Sequence, residues 1–161
     1  NSTNGAFQAV QFGAAGDKIV PGDYDGDGRT DQAVWRPSTG VWYVLRSQDG
    51  GFNIVQFGLN GARPVAGDFD GDGRGDFAVF RPSDRVWYLL RSNEGFAALQ
   101  FGLSDDKPLQ ADFDGDGKAD IAVYRPSTGV FYYLRSFDGG FSATQFGLPG
   151  EGPVPGIFIE P

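Results

Sequence analysis

Three short loops carry carboxylates at alternating positions. In "DYDGDGRTD", residues 23–31, Asp23, Asp25, Asp27 and Asp31 occupy positions 1, 3, 5 and 9, with glycines at 4 and 6. "DFDGDGRGD" repeats the pattern with Asp68, Asp70, Asp72 and Asp76, and "DFDGDGKAD" with Asp112, Asp114, Asp116 and Asp120. Position 7 (Arg29, Arg74, Lys118) can add a backbone carbonyl. Like charges this close repel unless something positive sits among them. Hard oxygen donors at every second residue, with glycine for the sharp bend, suit a cation that takes six to eight oxygens. Ca²⁺ is therefore expected in three sites. Mg²⁺ fits less well, since it keeps more of its water. A solvated turn would explain one such loop, but not three in identical phase.

These are not EF-hand loops. There a bidentate Glu stands at position 12, where this chain has Val34, Val79 and Val123. Asp at position 9 is expected to close the ligand set instead.

Composition narrows the chemistry further. The chain has 161 residues, no Cys, Met or His, and a formal net charge of -8. Thiol nucleophiles, histidine bases, His-ligated zinc and disulfide staples are thus excluded by inventory. Most of the acidity lies in the three loops and the remainder is mildly basic, so three Ca²⁺ would bring the formal charge from -8 to -2. The negative balance argues against nucleic acid as a partner, and no apolar run is long enough for membrane insertion as a helix. The acids outside the loops sit mostly at turns and form no evident catalytic pair, so no enzyme activity is expected. Asn1-Ser2-Thr3 fits a glycosylation acceptor, and a chain opening on Asn1 reads as a processed or excised product.

The elements that position the loops repeat as well. "QFG" falls at 11, 56, 100 and 145, "RPS" at 36, 81 and 125, and "LRS" at 45, 90 and 134. A period near 45 residues marks a repeat architecture. Each unit holds four short runs rich in Val, Phe, Trp, Tyr and Leu, such as "PVAGDF", "DFAVFRP", "VWYLLRS" and "FAALQFG", with turn residues between them. No helix is predicted. In "VWYVLRS", Val41, Tyr43 and Leu45 share one face while Trp42 and Val44 share the other, so both faces of the sheet want cover. The fold class is all-β: tandem four-stranded antiparallel blades of the β-propeller type, stacked on one another. The organisation expected is a single repeat domain over 1–161. It comprises a leading strand at 7–13, blades at 20–58, 64–102 and 108–147, and a partial repeat at 153–161.

The run "QFG…PVAGDFDGDGRGDFAVFRPS" resembles the FG-GAP/VCBS repeat family, which includes the propeller heads of integrin α subunits and many secreted bacterial proteins. The resemblance implies Ca²⁺ in the loop between a blade's first and second strands, an extracellular location, and a glycan or protein ligand. Two departures stand out: only three units are complete, and the fourth has Ile157 and Ile159 where Asp would stand at positions 1 and 3. That copy is expected to hold no metal.

The expected function is a calcium-stabilised extracellular module for binding or adhesion. The alternative is a structural subunit that self-associates through its terminal strands into a ring or fibre, or forms part of a longer propeller. Phe7, Val10, Phe12, Phe158 and Ile159 would be the exposed edges. Trp35, Trp42 and Trp87 offer sugar-stacking faces or, in the plainer reading, inter-blade core. Arg36, Arg81 and Arg125 are expected to brace acidic loops or strand ends.

Overall fold

Five- and six-residue runs of β-branched and aromatic residues, closed off by glycine and proline turns, set the architecture. The computed structural model describes residues 9–153. Twelve strands fall in chain order: β1 (Lys18–Ile19), β2 (Gln32–Arg36), β3 (Val41–Leu45), β4 (Phe52–Gln56), β5 (Arg63–Gly67), β6 (Asp76–Arg81), β7 (Val86–Arg91), β8 (Gly95–Gln100), β9 (Lys107–Ala111), β10 (Asp120–Arg125), β11 (Val130–Leu134) and β12 (Phe141–Gln145). They make three four-stranded antiparallel sheets, each a meander of consecutive strands. The all-β expectation holds, with no helix among the described residues.

Register places the same kind of pair in each unit. Trp35 faces Trp42 across β2 and β3, Phe80 faces Trp87, and Tyr124 faces Phe131. All three tryptophans are fully buried, which makes them core residues and removes them as sugar-stacking platforms. The Nε1–H groups of Trp35 and Trp42 both donate to the Phe57 carbonyl, at 3.1 and 2.9 Å.

Each sheet completes the core of the one before it. Val20, Tyr24, Trp35, Trp42 and Val44 pack with Val79 and Phe77 of the second unit. Phe69, Phe80, Trp87 and Leu89 pack with Val123 and Ile121 of the third. The middle residue of each unit's second strand therefore reaches back to its predecessor. Cover on the third unit is thinner. Tyr24 and Phe69, at position 2 of their loops, are 6% and 8% exposed, whereas Phe113 is 39% exposed. Along β11, Phe131 and Tyr133 are only half-buried, where Trp42 and Val44 of β3 are sealed.

Residues 9–13 of the leading stretch form no strand; Phe12 lies instead against Phe52, ring centroids 6.1 Å apart. Phe7, and the partial repeat beyond residue 153 with Ile157, Phe158 and Ile159, lie outside the described residues.

Candidate metal centres

Each acidic loop joins the first strand of its unit to the second, and its hydrogen bonds repeat position by position. Glycines at 4 and 6 take left-handed backbone conformations, with φ of 79° and 81° at Gly26 and Gly28. Such angles strain any side-chain-bearing residue. The bend they allow aims backbone N–H groups inward at the position 1 carboxylate. Asp23 accepts from Gly26 and Gly28 at 2.7 and 2.8 Å, Asp68 from Gly71 and Gly73 at 2.6 and 2.8 Å, and Asp112 from Gly115 and Gly117 at 2.5 and 2.9 Å. The Gly117 N–H holds the Asp112 carboxyl below its ordinary value.

Position 9 is the deepest member. Asp31, Asp76 and Asp120 are buried, and each bridges two backbone donors. One is the residue at position 2: Tyr24 at 2.9 Å, Phe69 at 2.7 Å and Phe113 at 2.9 Å. The other is the serine of "LRS": Ser47 at 2.6 Å, Ser92 and Ser136 at 2.7 Å. The closing aspartate thus pins the loop to the turn between the third and fourth strands. Burial pushes the Asp76 carboxyl up to about 6 against those two hydrogen bonds, with the charges of Asp70 and Asp68 adding to the rise.

The same serines bind position 5 through their hydroxyls. Ser47 Oγ donates to Asp27 at 3.1 Å, Ser92 Oγ to Asp72 at 2.6 Å, and Ser136 Oγ to Asp116 at 2.9 Å. Reading for ligands alone passes over these serines; their place in the recurring "LRS" was the available signal. Position 3 leans on the same turn. Asp25 accepts from Gln48 N–H, Asp70 from Asn93 and Glu94, and Asp114 from Phe137. Burial works to raise the Asp70 carboxyl, but the Glu94 and Asn93 donors outweigh it and hold it below its usual value.

Position 7 contributes side chains to the surroundings. Arg29 pairs with Asp27 of its own loop and lowers that carboxyl. Arg74 and Lys118 instead lie across Gly26 and Gly71 of the preceding loop, where a Cβ would come within 3.0 Å of them.

The carboxylates converge in three groups: Asp23, Asp25 and Asp27; Asp68, Asp70 and Asp76; Asp112, Asp114 and Asp120. Within each, one oxygen per residue lies within 4.8 Å of the others. The donor set is all hard oxygen, as a calcium-type ion requires. In the second loop Asp70 is 7% exposed, and its Oδ1 is sealed from solvent with no hydrogen-bond partner. A buried carboxylate oxygen left bare is costly unless something positive meets it. The residues therefore fit a cation. Bound there, it would neutralise the carboxylates and fix the loop.

Residues 23–79 match the family model described as FG-GAP-like repeat. Over these residues the chain is similar to an FG-GAP-like repeat. The match spans the first two acidic loops and strands β2 to β5 between them. The third loop lies outside the matched residues but reproduces the FG-GAP-like spacing and hydrogen bonds residue for residue. Searches of curated proteins and of solved structures gave no match.

The recurring arginines brace strand ends and leave the acidic loops alone. Arg36 grips Asp17 through two bonds of 2.9 Å and stacks on Tyr43, and Arg125 grips Asp106 at 2.8 Å and stacks on Tyr132. Arg81 pairs with Asp84 and stacks on Tyr88.

Proposed function

We propose that this chain is a calcium-stabilised, extracellular module of the β-propeller type that binds a glycan or protein ligand and carries out no catalysis. The observation that carries the reading is the bare, buried Oδ1 of Asp70 inside a carboxylate group, with positions 1 and 3 converging in every unit, joined by position 5 in the first and by position 9 in the second and third. The proposed ligands are Asp at positions 1, 3, 5 and 9 with the carbonyl of position 7, of which Asp31, Asp72 and Asp116 stand outside the three convergent groups. No cysteine is present to staple the units, which leaves cation binding to do so. Loops of this kind in extracellular modules bind with dissociation constants of about 10⁻⁴–10⁻³ M and fill only where Ca²⁺ is abundant. Among the described residues no helix is long and apolar enough to cross a membrane. Calorimetric titration with Ca²⁺ and with Mg²⁺ tests the reading: three sites preferring Ca²⁺ support it, and absence of saturable Ca²⁺ binding overturns it.

A second reading has its own observation. Phe113 is exposed at the position where Tyr24 and Phe69 are covered by the next sheet. The third unit would then receive a further unit, from a longer chain or another copy, giving a ring or fibre. Molar mass in solution at rising concentration tests this: mass growth supports assembly, and a monodisperse monomer of the intact chain refutes it.

A further inference from the structure

The turn that leads into each unit occurs four times. Residues 14–17, 59–62, 103–106 and 148–151 each close with an N–H from the fourth residue to the carbonyl of the first, at 3.1, 3.0, 3.2 and 3.2 Å. In three copies the fourth residue is an acid whose carboxylate folds back onto the first residue's N–H. Asp17 accepts from Ala14 at 2.9 Å, Asp106 from Leu103 at 2.8 Å, and Glu151 from Leu148 at 2.8 Å. Asp17 and Asp106 are also the carboxylates gripped by Arg36 and Arg125, and their side chains are 4% and 0% exposed. One backbone N–H plus one arginine fork on a tyrosine ring is thus a carboxylate receptor, filled by the chain itself.

The second copy has Ala62 in place of the acid. Its turn is closed like the others, so the Leu59 N–H is left at the same corner; among the described residues it makes no hydrogen bond. Arg81 keeps its place over the ring of Tyr88, 4.5 Å from the centroid. Its Nε, at 2.7 Å, and its Nη2 both turn to Asp84, on the hairpin corner where the other units have Thr39 and Thr128. That counter-ion is 34% exposed, so solvent screens the pair more than it screens the sealed Asp17 and Asp106. Nη1 of Arg81 makes no hydrogen bond among the described residues. A cleft of about 270 Å³ opens between Leu59, Ala62, Val79, Arg81 and Tyr88.

We propose that this cleft binds the carboxylate of a small monocarboxylic acid, in the place that Asp17 and Asp106 fill in the neighbouring units. The ligand's oxygens would accept from the Leu59 N–H and the Arg81 guanidinium, while Leu59, Val79 and the Tyr88 ring cover its apolar side. The lining holds a single cation, and Asp84 already faces it; one further carboxylate would be met through Nη1, and a dianion would not. The volume sits just under the ~300–1,000 Å³ usual for small-molecule sites, the scale of an acidic monosaccharide. This reading is independent of the metal loops.

The test uses the full chain in saturating Ca²⁺, titrated with sodium glucuronate, sodium acetate and glucose while the Leu59 amide is followed by NMR. Saturable shifts with glucuronate and acetate, and none with glucose, are expected. Ala62→Asp recreates the arrangement of the first and third units, so the fold is kept. It should weaken binding by about 10- to 100-fold, the loss of a charge-assisted contact. No saturable shift with either acid, an equal response to glucose, or an unchanged affinity in Ala62→Asp would overturn the proposal. So would binding of an acidic peptide in the absence of any glucuronate response.

Discussion

The backbone N–H of Gly75 donates to the carbonyl of Asp23 at 2.5 Å, tying the second unit's loop to the first. Ala119 repeats the bond to Asp68 at 2.6 Å. Donor and acceptor sit at positions 8 and 1 of consecutive loops. The residues that gather carboxylates are therefore also the seam between units.

Chelation should consequently act on the whole fold. A ligand held at about 100-fold its dissociation constant adds roughly 2.7 kcal/mol per site. Three such sites rival the ~5–15 kcal/mol stability of a typical domain. Melting in excess EDTA is expected tens of degrees below melting in Ca²⁺, and coincident curves would dismiss the cation as a staple.

Position 4 offers a sharper probe of the seam. Gly26→Ala and Gly28→Ala face similar backbone strain, at φ of 79° and 81°, costing about 1–3 kcal/mol each. Only at Gly26 would the new Cβ also meet the Arg74 side chain; Gly28 has open space. Denaturant unfolding should show Gly26→Ala as the more damaging of the two.

The two kinds of aspartate should separate by condition. Asp76→Ala strands the Phe69 and Ser92 N–H groups in a buried site, at about 1–3 kcal/mol each. That loss should appear with or without Ca²⁺. Asp72 is exposed and bonded chiefly within its loop and to Ser92, so Asp72→Ala should weaken Ca²⁺ binding while leaving the chelated protein nearly unchanged. Equal effects of both variants in EDTA would contradict this division.

Acid should weaken the strand-end braces. The hydrogen bonds from Arg36 hold the Asp17 carboxyl below its ordinary 3.8, against the opposing pull of burial. Arg81 holds the Asp84 carboxyl at about 2. A carboxyl depressed in the folded state stabilises fully above its unfolded pKa and loses that contribution as pH falls through the folded value. The contribution of these braces should be level near neutrality and decline below about pH 4. In Asp17→Asn the decline should be shallower than in the native chain, which thermal melts across that range would reveal.

Exposure at position 2 predicts an asymmetry between the first and last units. Tyr24 stacks on Phe77 at 5.0 Å and donates to the Val20 carbonyl at 2.6 Å, so Tyr24→Ala should cost about 3–5 kcal/mol. Phe113 stacks on Tyr133 at 4.5 Å, its one ring contact among the described residues, and Phe113→Ala should cost about 1 kcal/mol. If the third unit receives another, Phe113→Ala will also lower the mass seen at high concentration.

Much of this was legible because the units repeat. Alternation in "VWYVL" against glycine-bearing turns marks β3, and aspartates at alternating positions mark the loops. The two faces of β3 are less alike than the alternation suggests: Trp42 and Val44 are sealed, whereas Tyr43 stays half-open beneath Arg36. Partnerships set by tertiary packing were harder to read. Asp17 and Asp106 look like ordinary turn acids, and their arginines lie 19 residues on, across a strand and a loop. Ser47, Ser92 and Ser136 reach aspartates 16 residues back, a distance that no local pattern flags.

The bond from Gly75 to Asp23 also has a polarity. Every junction sets a donor on the leading side of one unit against an acceptor on the trailing side of the unit before it. Thr30 and Asp112 hold the corresponding positions at the two ends of the described array. Two identical trailing sides brought together would oppose acceptor to acceptor, so this bond cannot support a two-fold dimer. Any growth through it would run in one direction only, by the heterologous contacts that generate rings or filaments.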